Sequence, residues 1–416
     1  MIRAVSAPNP PDADRLATVR AALPALDAGI YLNTGSVGPL PAETAAAMAD
    51  MAAYELRTGR AHLDYYEETL QRMAEARAGA AAVVTADVGD VALMHSTTDG
   101  MNVGVWGIDW RPGDRAVTTS LEHPGGVGGL YNLRARFGID LAFVDVGPAL
   151  SEADVLDAFD QAIDERTRAV VVSHVLWATG TVLPIARLAE IAHARGALLI
   201  VDGAQAVGAM PVDLTATGAD VYAIAAQKWL LGPEGMAAVA FAPAARERLA
   251  PSYGGWYTFE SVDSTGTAVW WADARRYESS NWHRPSIVGM ARSIGWLSMY
   301  VGLEWIYERG TAMARYAAER LAAIDGVELV TPTDRMATLV SFRIRGWTPA
   351  AALDELGARV FAVARTVPLI DALRISVGFF TSAEEIDRFI DCVALLAAHT
   401  PETVPPRRTL TILSGG

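Results

Sequence analysis

Lysine is almost absent from this chain. Of 34 basic residues in 416, one is lysine, Lys228, and the other 33 are arginine. Cysteine is as scarce: the single Cys392 excludes an internal disulfide framework and a cysteine-built zinc site. No HExxH or CxxC spacing supplies another metal site. No apolar run reaches the ~18 residues of a membrane span, and the opening MIRAVSAPNPPDADRL contains no apolar core of a secretory signal. Positive charge is in deficit, since 34 basic against 48 acidic residues gives −14, which argues against nucleic acid or an anionic membrane as the main partner. The expectation is a soluble, cytoplasmic protein. What is present is ordinary: 51% hydrophobic and 20% charged residues suffice for a globular core. A length beyond the roughly 250–300 residues of a single core implies more than one domain.

A bias towards arginine can empty a chain of lysine, because at most surface sites either cation serves. A position that resists the bias is one where guanidinium cannot do the work. Lysine alone offers a primary amine whose pKa its surroundings can lower and which condenses with a carbonyl. A surface lysine left by chance is the alternative, and the neighbours of Lys228 decide between them.

From about residue 90 to 241, short apolar runs alternate with helical periodicity. Val91–Met94, Ala116–Thr119, Leu141–Val144, Ala169–Ser173, Ala197–Val201, Val221–Ala225 and Met236–Phe241 read as strands, with helices such as 126–137, 152–163 and 185–195 between them. The pattern predicts an α/β fold with a mostly parallel seven-stranded sheet, whose ligand sits beyond the carboxyl ends of the strands. A short strand at 30–32 and helices over 41–58 and 65–82 precede it. One long helix over 286–308, then helices and less uniformly apolar strands at 327–330, 337–344, 360–364 and 374–377, predict a smaller α+β domain. The expected division is an N-terminal segment 1–30, a large domain 31–285, a small C-terminal domain 286–400 and a loosely held tail 401–416.

Polar residues gather at the predicted strand ends. HSTTDGMN places Ser96, Thr97 and Thr98 at a helix start, where hydroxyls and N–H groups suit a phosphate, although a plain helix cap uses the same residues. SLEHPGG places His123 at the next strand end, and its glycines do not complete a dinucleotide fingerprint. DGAQA places Asp202 at the end of a buried strand with Gln205 beyond it, and AQKWLLG places Lys228 just past the next. An anion cradle, a flat histidine, a carboxylate and one amine are what pyridoxal phosphate requires. Its aldehyde forms an imine with lysine, and its ring nitrogen stays protonated beside a carboxylate.

In order along the chain, YLNTGSVG, HSTTDGMN, LEHP, SHVLWATGTVLPI, VDGAQAVGAMPVDL, AQKWLLGPEGMA, RRYESSNW and LRISVGFFTSAEEID resemble the class V aminotransferase family of fold-type-I pyridoxal-phosphate enzymes. The resemblance implies that Lys228 holds the cofactor and shuttles the substrate α-proton, that Asp202 pairs with the ring nitrogen, and that Gln205 bonds the ring hydroxyl. It implies that His123 stacks on the ring and that Thr97 and Thr98 bind the phosphate, with Ser96 and Gln227 as further cofactor-binding candidates. Arg374 would hold the substrate carboxylate, so Lys228, Asp202, His123 and Arg374 form the expected catalytic set. Ser280 and Asn281 would reach the partner subunit's phosphate in a homodimer.

Departures from the family bear on the reaction. Cysteine desulfurases carry a nucleophilic cysteine on a loop before the carboxylate-binding arginine. Here Cys392 follows Arg374 inside a predicted helix. Ala225-Ala226-Gln227 stands where relatives often read S-x-H, and Leu176 and Trp177 replace the asparagines of the desulfurase branch, as in the isopenicillin N epimerase-like branch. The resulting expectation is carbon–sulfur cleavage or transamination of a bulky amino-acid substrate, without persulfide formation. Epimerisation, decarboxylation and a silent cofactor-binding protein are the alternatives. Six of the eleven tryptophans lie between 256 and 305, and Trp256, Trp270 and Trp271 are candidates for a wall around such a substrate.

Overall fold

The computed structural model describes residues 13–407, so the start of the N-terminal segment, including most of the stretch read for a signal, and residues 408–416 of the tail lie outside the described residues. Helix α1 (Ala13–Ala21), strand β1 (Ile30–Tyr31) and helices α2 (Ala42–Thr58) and α3 (Tyr65–Ala82) come first. The main sheet is built from β2 (Val91–Met94), β3 (Arg115–Thr119), β4 (Asp140–Val144), β5 (Thr167–Ser173), β6 (Leu198–Asp202), β7 (Val221–Ala225) and β8 (Ala237–Phe241). Helices α4 (Thr97–Trp106), α5 (Pro124–Phe137), α6 (Glu152–Ala162) and α7 (Ile185–His193) connect its strands. The strand order is β2-β8-β7-β6-β5-β3-β4, and only β8 runs against its neighbours.

Every residue of β2, β6, β7 and β8 is buried, which is why those segments read as unbroken apolar runs rather than alternating ones. Parallel pairing then gathers the carboxyl ends on one edge. Ser173 pairs with Asp202, and Asp202 with Ala223, three residues from Ala226 and the loop that carries Lys228.

The short helices α8 (Leu214–Thr217) and α9 (Pro243–Arg248) precede β7 and follow β8, and beyond the sheet lie the hairpin β9 (Phe259–Val262)/β10 (Ala268–Trp270), α10 (Arg284–Gly295) and α11 (Leu303–Ala322). The single helix expected over 286–308 is in fact two. A π-helical turn over Trp296–Val301 ends at Gly302, whose φ of 86° closes the turn through its N–H to Leu297 O at 2.8 Å. An antiparallel sheet in the order β11-β12-β15-β14 follows, from β11 (Val327–Leu329), β12 (Leu339–Ile344), β14 (Arg365–Val367) and β15 (Ala372–Ser376), covered by α12 (Pro349–Val360) and α13 (Ala383–Ala397). The strand expected at 360–364 is shorter. Val360 still belongs to α12, Phe361 takes a left-handed φ of 56°, and only β13 (Ala362–Val363) is extended, paired in parallel with β1.

Ile30 and Leu32 thus share a core with Met313, Phe342, Ile375 and Phe389, whereas Ile287, Met290, Ile294 and Ile306 belong to the core of the main sheet. We propose from these cores that the chain divides into a large unit 31–285 and a small unit 286–400, with residues 30–32 and α10 each crossing the divide. The tail is firmer than expected as far as it is described. Arg407 pairs with Asp354 and Glu355, and Arg359 donates to Pro405 O at 2.6 Å, fastening residues 405–407 to α12.

Candidate active site

At the carboxyl edge of the main sheet, two helix starts and one carboxylate meet. Ser96 caps α4, its hydroxyl accepting from Asp99 N–H at 3.1 Å, and His123 caps α5, its Nδ1 accepting from Gly125 N–H at 3.1 Å. Both residues therefore do the capping work that was the plainer reading. The helices approach so closely that a Cβ on Gly125 would lie 2.5 Å from Thr98 Oγ1, and one on Gly126 would lie 3.0 Å from Asp202 Oδ2. The crowding favours glycine at both positions, and their N–H groups are already engaged, that of Gly125 by His123 Nδ1 and that of Gly126 by His123 O at 2.9 Å. Thr97 and Thr98 open α4 on the same side. Asp202 is buried, with Oδ1 accepting from Ala204 N–H at 2.9 Å.

Lys228 is half-buried beside this group. Burial draws its ammonium down to about 8, Asp202 opposes the shift, and Arg374 and Arg365 add to it. Burial, and then Lys228, also lowers His123. These mutual influences place Lys228, Asp202, His123, Arg374 and Arg365 within reach of one another's charge. Gln205 bridges two neighbours: its Nε2 donates to Gly35 O at 2.8 Å, and its Oε1 accepts from Trp229 Nε1 at 2.9 Å. Gln227 contributes its carbonyl, which accepts from Gly38 N–H at 2.7 Å.

Arg374, on β15, is fully buried, with no acidic partner among the described residues. Its Nη1 donates to Trp177 O at 2.7 Å, while Nε and Nη2 have no hydrogen-bond partner among the described residues. Burial, with Arg365 nearby, draws its guanidinium down to about 9. Arg365 faces it across the β14–β15 pair, holds Ser36 Oγ at 3.2 Å and lies over the Trp177 ring at 5.4 Å. Two cations side by side without a carboxylate form a receptor for an anion.

Sequence reading missed Arg365, because nothing in a short strand distinguishes one arginine from another until pairing sets it opposite Arg374. It also missed Glu122, which the LEHP motif did contain. Its carboxylate is buried and accepts from Ser173 N–H at 3.0 and 3.1 Å, from Ser173 Oγ at 2.5 Å and from Thr119 Oγ1 at 2.8 Å. Burial lifts it to about 7 despite those bonds.

Other expected residues stand apart. Ser280 Oγ accepts from Trp256 N–H at 2.6 Å, and Asn281 is exposed with a φ of 64°. Trp256 is 73% exposed; Trp270 packs on Phe259; Trp271 donates to Tyr257 O at 3.0 Å under the Arg275 guanidinium. Cys392 is buried in α13, and burial pushes its thiol up to about 11.

This chain is similar to known proteins over most of its length. It is 29% identical over 347 residues to a probable cysteine desulfurase of Methanothermobacter thermautotrophicus, covering 82% of this chain and 85% of that one. It is 30% identical over 391 residues to the isopenicillin N epimerase of Streptomyces clavuligerus, covering 89% and 95%. Among solved structures, C-DES superposes with a TM-score of 0.85 at 26% identity, covering 89% of this chain and 99% of that one. It is described as a cystine C–S lyase in complex with its reaction product, cysteine persulfide. A variant of the same protein carries glycine covalently linked to its PLP cofactor. The expectation of a reaction without persulfide formation is overturned here, because desulfurases and a persulfide-releasing lyase are the proteins this chain is similar to. The Aminotransferase class-V family model matches residues 30–389, and the chain belongs to that family.

Proposed function

We propose that the chain is a pyridoxal-phosphate-dependent desulfurase that cleaves the carbon–sulfur bond of a cysteine-type amino acid and releases the sulfur as a small-molecule persulfide. The observation that carries the reading is the buried Arg374, whose unpaired Nε and Nη2 lie within electrostatic reach of the chain's one ε-amine. The residues fit the cofactor: an amine drawn down to about 8, a buried carboxylate, and two threonines at the start of α4, where a helix receives an anion. When bound, pyridoxal phosphate supplies an aldehyde and a ring that accepts the electron pair left at the α-carbon. Asp202 would keep that ring protonated, His123 would lie against it, and Thr97 and Thr98 at the start of α4 would hold the phosphate.

Lys228, freed by the incoming amine, would take the α-proton, and Arg374 would fix the substrate by its carboxylate. The Cβ–S bond then breaks with its electron pair leaving on sulfur. Cys392 cannot receive that sulfur, being buried in α13 with a thiol raised to about 11. The persulfide therefore forms on the substrate's own sulfur. A disulfide such as L-cystine plus one water gives cysteine persulfide, pyruvate and ammonia, which balances without an added oxidant or reductant. The desulfurase and cystine lyase similarities support this substrate class.

We place the working form as a cytoplasmic homodimer. The 256–281 segment, which carries the exposed Trp256, would be the part that reaches the partner's site. No helix among the described residues is long and apolar enough to cross a membrane. The test is incubation with L-cystine, reading pyruvate and low-molecular-weight sulfane sulfur, with intact mass of the protein alongside. Equal pyruvate and sulfane sulfur with no mass gain are expected. Inversion at the α-carbon without pyruvate or sulfur release would sink the reading.

A further inference from the structure

We propose that the indole N–H of Trp177 is a hydrogen-bond donor to the carboxylate of the bound amino acid, acting beside Arg374. This rests on the reading of Arg374 as the carboxylate receptor and assigns that receptor a second residue.

Trp177 lies in the loop after β5, 9% exposed, and touches three groups of the site. Its carbonyl accepts from Arg374 Nη1 at 2.7 Å, the Arg365 guanidinium lies 5.4 Å from its ring, and the His123 ring meets it edge-on at 5.4 Å. Its indole nitrogen is buried with no acceptor among the described residues. Other buried indoles in this chain do find one: Trp110 donates to Val105 O at 2.7 Å, Trp229 to Gln205 Oε1 at 2.9 Å and Trp282 to Ser279 O at 3.2 Å. Leaving such a donor unmet costs about 1–3 kcal/mol, so the exception at Trp177 asks for a reason.

Its surroundings supply one. The two unpartnered atoms of Arg374, Nε and Nη2, form the same edge of the guanidinium, the edge that meets a carboxylate with two parallel bonds. A carboxylate so held keeps a lone pair on each oxygen. Trp177, tied to Arg374 through its own carbonyl, offers one more N–H and can offer nothing else, since indole is a donor only. Three buried donors on two linked residues match an anion with several lone pairs; a cation would leave them unmet, and a single neutral oxygen would not meet them all.

The test uses the cofactor-loaded enzyme and two amines, glycine and methylamine, which differ by the carboxylate. Each is titrated by the change in cofactor absorbance. Wild type is expected to bind glycine more tightly than methylamine. Trp177→Phe, which keeps the ring and removes the donor, is expected to weaken glycine about tenfold and to leave methylamine unchanged. A merely structural role would move both amines together, and that result, or no change in either, overturns the proposal. So does a shift in the resting cofactor spectrum with no change in the glycine preference, which would assign the donor to the cofactor. Should Trp177→Phe fail to retain cofactor, Trp177→His carries the test. An N–H on a smaller ring keeps part of the preference, and its complete loss overturns the idea. A wild type that shows no preference for glycine would instead break the reading of Arg374, a different failure.

Discussion

The two ends of the site are built on opposite principles. At the sheet edge, the polar groups around Asp202 find partners inside the protein: Ser96 and His123 cap their helices, Gln205 bonds on both sides, and Glu122 accepts from three donors. At the small sheet, Arg374 keeps two buried nitrogens unpaired and Trp177 one. One end is finished by folding and can hold a resident group in place. The other is left unfinished, so that a passing anion completes it. Binding there is strong because the protein has already accepted the penalty of burying the charge.

The largest effect should come from the amine between the two ends. Lys228→Arg keeps the charge but cannot form an imine, and no other ε-amine exists to substitute for it. Borohydride reduction followed by peptide mapping should find the cofactor on Lys228 in wild type and nowhere in the variant. Turnover should fall by roughly 10⁴-fold, the upper range for a lost proton-transfer group. A reducible adduct elsewhere would break the assignment.

Arg374→Met separates function from stability at the unfinished end. It should lower kcat/KM for an amino-acid substrate by about 10²-fold. Because Arg374 is buried without a counter-charge, the same change should raise the unfolding free energy, measured without substrate, by about 1–2 kcal/mol. A loss on both counts would show that the guanidinium serves the fold, and the contrast between the ends would fail.

Much of this was legible before any coordinates. All seven main strands were marked by apolar runs, most of them because burial on both faces removes the need for alternation, while the edge strand β4 is largely half-buried. Lys228, Asp202 and His123 stood at their ends for the same reason. The small unit was harder. Gly302 splits a continuous apolar stripe into two helices, and β1 leaves its neighbours in sequence to pair with β13, so neither boundary follows from local pattern. Arg365 became visible only through strand register. The lone cysteine misled: its place in α13 suggested a reaction without persulfide, whereas the similarities point to desulfurases and a lyase whose product is cysteine persulfide.

The pH behaviour of Lys228 sharpens the finished end. An ammonium cannot attack an aldehyde, and burial sets its proton loss near 8. The rate at which the cofactor-free protein takes up pyridoxal phosphate should therefore rise about tenfold per pH unit below 8 and level off above it. A rate still climbing steeply at pH 9.5 would place the amine back in its ordinary range.

The smallest effect should belong to Glu122, which is complete in itself and touches the chemistry only through His123 and Asp202. Its folded carboxyl titrates near 7, against 4.5 when exposed. Between those values the unfolded chain releases a proton that the folded chain keeps, so this group makes the fold less stable as pH rises, and the effect is flat above 7. Glu122→Gln removes that dependence. From pH 6 to 8 the variant should gain about 1.4 kcal/mol relative to wild type, the worth of one pKa unit, read from urea midpoints at the two pH values. Its kcat for L-cystine should change far less than that of Arg374→Met. If the two variants instead lose activity alike, the partnered end is as dependent on single side chains as the unpartnered one, and completeness of hydrogen bonding is not what distinguishes them.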